Sequence, residues 1–186
     1  QNTMKKLTSI TTFLIALFLL SACGGGSDDP LARGCETERT EVEDISLCLP
    51  TDWTIISQEF GEQGNYVIMV NAANSGSVMQ LHVKKEDLKE TVSSTIELAE
   101  KAVDLARQTA PNYSVVSTEP INIDRKSSIM HIFDAQPGGS EESVRYYQFV
   151  TTSEGYMYGF TAVMKPELDE YLLEIVVDML KNIRFI

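Results

Sequence analysis

The sequence predicts an α+β fold in which an antiparallel β-sheet is sandwiched between α-helices. Three observations point to it. Eight segments repeat their apolar residues at every second position and are joined by short connections, and such neighbours pair antiparallel because a parallel neighbour needs a crossover of a dozen or more residues. Two other segments switch to spacings of three and four, which stacks apolar residues along one helical stripe. The strands predicted at 128–135 and 156–163 are apolar on both faces, as expected when a sheet is covered on two sides.

Before the first strand lies a different kind of segment. Met4-Lys5-Lys6, an apolar run over 13–20 and Leu20-Ser21-Ala22-Cys23 have the charge, length and small-residue ending of a secretory signal. The run is too short for a transmembrane helix, which needs roughly 20 apolar residues, and Asp28-Asp29-Pro30 stop any longer span. The Leu20–Cys23 stretch resembles the lipobox of bacterial lipoproteins. That resemblance implies cleavage before Cys23, a diacylglycerol and a further acyl chain (palmitate or similar) on that cysteine, and Met4 as the initiator. Two or more chains, at ~0.8 kcal/mol per buried CH₂, anchor stably where one does not. Gly24 stands where an Asp would signal inner-membrane retention, so the expected location is the outer membrane, facing the periplasm. The expected organisation is a signal peptide over 1–22, a lipidated cysteine and flexible linker over 23–39, and one domain over 40–186.

Elements follow in order along that domain. Ile45, Leu47 and Leu49 alternate up to Pro50 and predict the first strand; 53–58 and 65–72 predict two more across the turn-forming 61–64. A fourth covers 77–84, with Met79, Leu81 and Val83 on one face and Asn74, Ser75 and Gly76 as the hairpin before it. Val92, Ile96, Ala99, Val103, Ala106 and Ala110 then define a helix over 94–110, opened by a Ser94/Glu97 capping box and ended by Pro111. Strands are predicted at 114–123, 128–135, 143–152 and 156–163, with turns at 136–139 and 154–155. Pro166 suits the first turn of a closing helix, on which Leu168, Tyr171, Leu172, Ile175, Val176, Met179 and Leu180 share a broad face.

Composition narrows function. With 27 acidic against 15 basic residues the formal charge is -12, so nucleic acid, which is bound chiefly through Lys and Arg on phosphates, is excluded as an expected partner. Cys35 and Cys48 form an even pair in an oxidising compartment and are expected to form a disulfide, closing a loop that stabilises by roughly 3 kcal/mol if unstrained. Neither sits in a C-x-x-C spacing, so the pair does not read as a metal site.

The first strand followed by Leu49-Pro50-Thr51-Asp52-Trp53, a helix after the first half of the sheet, long hairpins and a closing helix running into Asn182-Ile183-Arg184-Phe185 resemble the PsbP-like and DcrB-like group of α/β/α proteins over 42–186. The resemblance implies a non-catalytic accessory or binding protein that works through protein interaction.

Motifs of catalysis are absent from the sequence: no G-x-S-x-G, H-E-x-x-H, G-x-x-x-x-G-K-[ST] or G-x-G-x-x-G. His82 is expected to be partly exposed beside a helix, and His131 to be a hydrogen-bonded interior residue. Acidic pairs such as Glu141-Glu142, and Glu170 with Glu174, read as solvated faces. In the aromatic hairpin, Tyr146, Tyr156 and Tyr158, together with Trp53, are the candidate interaction surface; covered strands need the same residues as core. No catalytic residue, metal ligand or cofactor is assigned. The expectation is therefore a non-enzymatic lipoprotein held to the membrane through Cys23 and binding an unidentified envelope protein. The alternative is a small-ligand or metal-binding envelope lipoprotein with a pocket between sheet and helix.

Overall fold

The computed structural model describes residues 39–72, 77–88, 94–138, 140–166 and 170–186. The signal segment, Cys23, Cys35 and the hairpin residues 74–76 lie outside the described residues.

The described residues open with two short strands, β1 (Thr40–Val42) and β2 (Ile45–Leu47), joined through Glu43 and Asp44, with Glu43 at a φ of 53°. Here the structure departs from the sequence reading. The segment read as the first strand of the large sheet is instead the centre of a separate three-stranded sheet, completed on its other edge by β10 (Arg184–Phe185). The sequence presents residues 182–185 as the run-out of the closing helix; the structure pairs Arg184 and Phe185 with β2. The physical reason is burial: Ile45, Leu47 and Ile183 are fully enclosed, and the three short strands satisfy one another's backbone groups while doing it. Arg39 fastens the start of this sheet. Its Nε donates to Ser46 Oγ at 3.0 Å, and its Nη2 donates to Ser46 O at 2.9 Å and to Asn182 O.

The turn after β2 closes with Trp53 N–H donating to Pro50 O at 3.1 Å, and Asp52 takes a φ of 69°. The main sheet then builds as two runs of hairpins. The first is β3 (Thr54–Phe60), a 3-10 turn at Glu62–Gly64, β4 (Tyr66–Ala72) and β5 (Ser77–Asp87). The second, after the helix α1 (Thr95–Thr109), is β6 (Ser114–Ile123), β7 (Lys126–Ala135), β8 (Val144–Ser153) and β9 (Tyr156–Met164). The order across the seven strands is β3-β4-β5-β9-β8-β7-β6, antiparallel throughout. Helix α2 (Glu170–Lys181) leads into β10. The capping box of α1 is formed as the sequence predicts: Glu97 N–H donates to Ser94 Oγ and Ser94 N–H to Glu97 Oε2, both at 3.2 Å.

The two faces of the main sheet are covered unequally. On the first face, Ile68, Leu81, Met130, Phe149 and Phe160 pack with Val176, Met179 and Leu180 of α2 and with Ile45 and Leu47 of the small sheet. On the second face, α1 lies over β7 and β8, where Ala106 packs with Phe133 and Ala135. Both outer strands of the sheet carry an irregularity: Ile56 in β3 and Val116 in β6 fall at register shifts and are exposed. Bulges of this kind bend an edge and discourage another strand from adding to it.

Phe149 and Phe160 stack at the centre of the first face, 4.7 Å between centroids and 10° between planes. Phe160→Ala is therefore expected to destabilise the fold by about 3–5 kcal/mol, whereas Ile56→Ser at the exposed bulge changes it by about 0.5 kcal/mol or less. Urea midpoints of the two variants measure the contrast.

Candidate functional site

Strand register fixes what lies side by side on the second face. One row runs Val67, His82, Thr161, Gln148, His131, Thr118; the next runs Met69, Gln80, Val163, Tyr146, Phe133. Helix α1 roofs the β7 and β8 end of these rows, and its Ala102, Leu105 and Thr109 form one wall of a groove against the strands. The groove has two adjoining hollows. One, of about 320 Å³, lies under α1 with Phe133 and Gln148 on its floor; the other, of about 660 Å³, opens over Val78, Gln80, His82 and Val163. Pro137, Tyr146 and Thr161 line both. The Tyr146 ring stacks on Phe133 at 5.0 Å and 9°.

His82 stands in the wider hollow and is exposed, while α1 covers strands further along; partial burial lowers its pKa. His131 is the interior residue the sequence predicts. It is fully buried, its Nε2 lies 2.9 Å from Tyr113 Oη and its Nδ1 2.8 Å from Thr118 Oγ1. Burial and then the nearby Arg107 charge lower its pKa, so the ring is neutral at neutral pH.

A second constellation lies where the small sheet meets the main one. Lys85 Nζ and Tyr158 Oη both donate to Asp44 Oδ2 at 2.6 Å, and Tyr66 Oη donates to Oδ1 at 3.2 Å. Lys85 Nζ also sits 4.4 Å from the centroid of the Tyr156 ring, a cation–π distance. Burial alone would raise the Asp44 carboxyl, but the hydrogen bonds from Lys85 and Tyr158 outweigh it and hold the pKa below the usual range. The bond to Asp44 raises Lys85, and burial, then the bond to Asp44, raises Tyr158. With three donors on one carboxylate this is a strut joining the β1–β2 turn to β4, β5 and β9. It is not a poised base, which needs a pKa near the working pH. A hollow of about 230 Å³ beside it is lined by Glu43, Phe60, Asn65 and Tyr66 among others.

The residues named from sequence are dispersed. Trp53 is 7% exposed, within the first-face core, and Tyr158 is buried on the same face. Tyr156, 37% exposed, meets Tyr158 edge-on at 6.5 Å, so those two come together around Lys85. Tyr146 belongs to the opposite face, in the groove. Cys48 is buried after β2, and its expected partner Cys35, like Cys23, lies outside the described residues. Among the described residues no three His, Cys, Asp or Glu side chains are grouped as a metal ion would require. Asp44, Tyr66 and Lys85 were missed by the sequence reading, since no local spacing links them.

No family model and no curated protein matches the chain. Solved structures do. A cyanobacterial PsbP from Synechocystis sp. PCC 6803 aligns over 90% of this chain and 99% of its own, at a TM-score of 0.54 and 13% identity. The fold is PsbP-like. The chain also aligns with PA94 of Pseudomonas aeruginosa, a protein of unknown function described as a putative regulator, at a TM-score of 0.48 and 12% identity over 76% of this chain and 90% of that one. LpqN of Mycobacterium tuberculosis, involved in cell envelope biogenesis, aligns at 0.45 and 14% identity over 77% and 87%.

The strut is expected to make the fold acid-sensitive. A carboxyl whose folded pKa is depressed contributes stability above its unfolded pKa, about 3.9, and loses it as pH falls through the folded value. Asp44→Asn is expected to cost about 1–3 kcal/mol at neutral pH, with the gap to the parent closing below about pH 4. Urea unfolding at the two pH values measures both; an equal gap at each would contradict the ionic role of Asp44.

Proposed function

We propose that this protein is a lipid-anchored, non-catalytic accessory protein of the bacterial cell envelope, held by acyl chains on Cys23 at the outer membrane and binding another envelope protein from the periplasmic side. The signal-like 4–22 segment and the Leu20–Cys23 stretch support the anchor, and no helix among the described residues is long and apolar enough to cross a membrane. The polar constellations support binding over catalysis: the three donors on Asp44 and the two partners of His131 leave neither group unpaired for proton transfer.

One geometric observation carries the reading. Arg39, where the linker meets the fold, is clamped to Ser46 and Asn182 in the layer of the small sheet and α2. The half-roofed groove lies on the opposite face of the main sheet. A domain tethered at that layer leaves the groove on its second face clear of the attachment point and open to a partner. A Cys35–Cys48 bridge would tie the linker to the end of β2 and stiffen this arrangement.

Fractionation of intact cells tests the anchor. The parent protein is expected in the membrane pellet and the detergent phase, and Cys23→Ser in neither; in-cell cross-linking is expected to give a reproducible envelope partner that Cys23→Ser loses. In the same unreduced material, Cys35 and Cys48 are expected to resist thiol labelling. A parent protein that is soluble and lipid-free contradicts the anchor, and one without any Cys23-dependent partner contradicts the accessory role.

A further inference from the structure

The groove on the second face is unlike the rest of the molecule in charge. The chain carries 27 acidic residues, yet among the described residues no carboxylate lines either hollow; the ionisable side chains there are His82, Tyr146 and Lys165. The two hollows also differ from each other. Under α1 the walls are Ala102, Leu105, Ala106, Ala110 and Phe133, with Leu105 61% exposed. The wider hollow brings Gln80, His82, Thr161 and Lys165 to its sides. Gln148 is paired with Thr161 on the floor between them, and its Oε1 is buried without a hydrogen-bond partner.

We propose that this groove binds a single-chain amphiphile with an anionic head, a long-chain fatty acid. The acyl chain lies between α1 and the strands, against Leu105 and Phe133. The carboxylate rests in the wider hollow, against Lys165, His82 and the amide of Gln80. The volumes suit such an occupant, since small-molecule sites run to roughly 300–1,000 Å³ with apolar walls and a few placed polar groups. Charge complementarity selects the sign of the head: in a domain of net negative charge, this lining holds no carboxylate among the described residues and has Lys165 at its rim, 4.0 Å from Glu142. An extended peptide is a poorer fit. Such a segment needs a free sheet edge for its backbone, whereas the groove floor presents side chains and both sheet edges are bulged. Amphiphile binding here is independent of whether a partner protein is recruited.

The test uses the full lipidated chain in isolated membranes without ATP, so that the probe is not metabolised. A photoreactive diazirine analogue of palmitic acid is compared with its uncharged methyl ester, and labelled peptides are mapped by mass spectrometry. Label from the acid is expected on the peptides spanning 95–111, 144–149 and 161–165. Lys165→Glu, a change at an exposed side chain, is expected to reduce it about two- to fivefold, and Leu105→Gln to reduce it as well, with trypsin resistance unchanged. Weaker labelling by the ester is expected. Label spread evenly over the surface, confined to the residues beside Cys23, or equal for acid and ester and indifferent to Lys165→Glu, overturns the proposal. The same holds if a second copy of the chain or a partner protein is what cross-links through Leu105 while the acid leaves no label.

Discussion

The pairing of β5 with β9 is the contact on which the rest of the structure depends. It joins two runs of hairpins that lie on either side of α1 in the sequence, with Gln80 opposite Val163 at one end of the ladder and Asp87 opposite Tyr156 at the other. Without it there are two smaller sheets and no continuous face. With it, Leu81 and Val83 sit beside Ala162 and Phe160 in the main core, and Lys85 comes opposite Tyr158, which is how both reach Asp44. The other face is set by the same register: Gln80 and His82 fall beside Val163 and Thr161 and make the floor of the groove.

The unequal covering of the two faces follows from what is available to cover them. The first face receives α2, the small sheet and Trp53, and buries the largest side chains, Tyr147, Phe149 and Phe160 among them. The second receives the short apolar stripe of α1, whose buried residues are Ala99, Val103 and Ala106. Small side chains let a helix approach closely but span little of a sheet, and this one rests over β7 and β8. The strands beyond it keep half-buried apolar residues, Val67, Met69 and Val163, in a row with polar ones. A face with this mixture is stable in water and still able to bury area against an occupant.

Much of the large sheet was legible because its boundaries are marked locally. The strand Ser114–Ile123 matches its predicted limits, with Pro111 and Asn112 before it and the Asp124-Arg125 turn, both residues at positive φ, after it. Helix α1 was legible from its capping box and Pro111. The small sheet was not: three residues in β1 and two in β10 are too few to display an alternation, and β10 finds its partner β2 at the other end of the domain. The end of β5 was hidden for another reason. The predicted strand stops at 84, but pairing of Lys85, Glu86 and Asp87 with Tyr158, Met157 and Tyr156 overrides their weak strand preference. The Asp44 strut could not be found at all from sequence, because Lys85 and Tyr158 are 41 and 114 residues from it. Tyr146 was singled out by its aromatic neighbours, and its place in the groove came only from the register of β8 with β7 and β9.

Native-state hydrogen exchange under increasing urea tests the central role of the β5–β9 ladder most directly, because it reads the opening free energy of each strand separately. Amides of β5 and β9 around Leu81, Val83, Phe160 and Ala162 are expected to exchange last, at the free energy of global unfolding, with β3, β6 and the small sheet opening earlier. If β5 and β9 exchange as readily as the edge strands, the two halves of the sheet are held by something other than their pairing, and the account given for the core, the strut and the groove fails together.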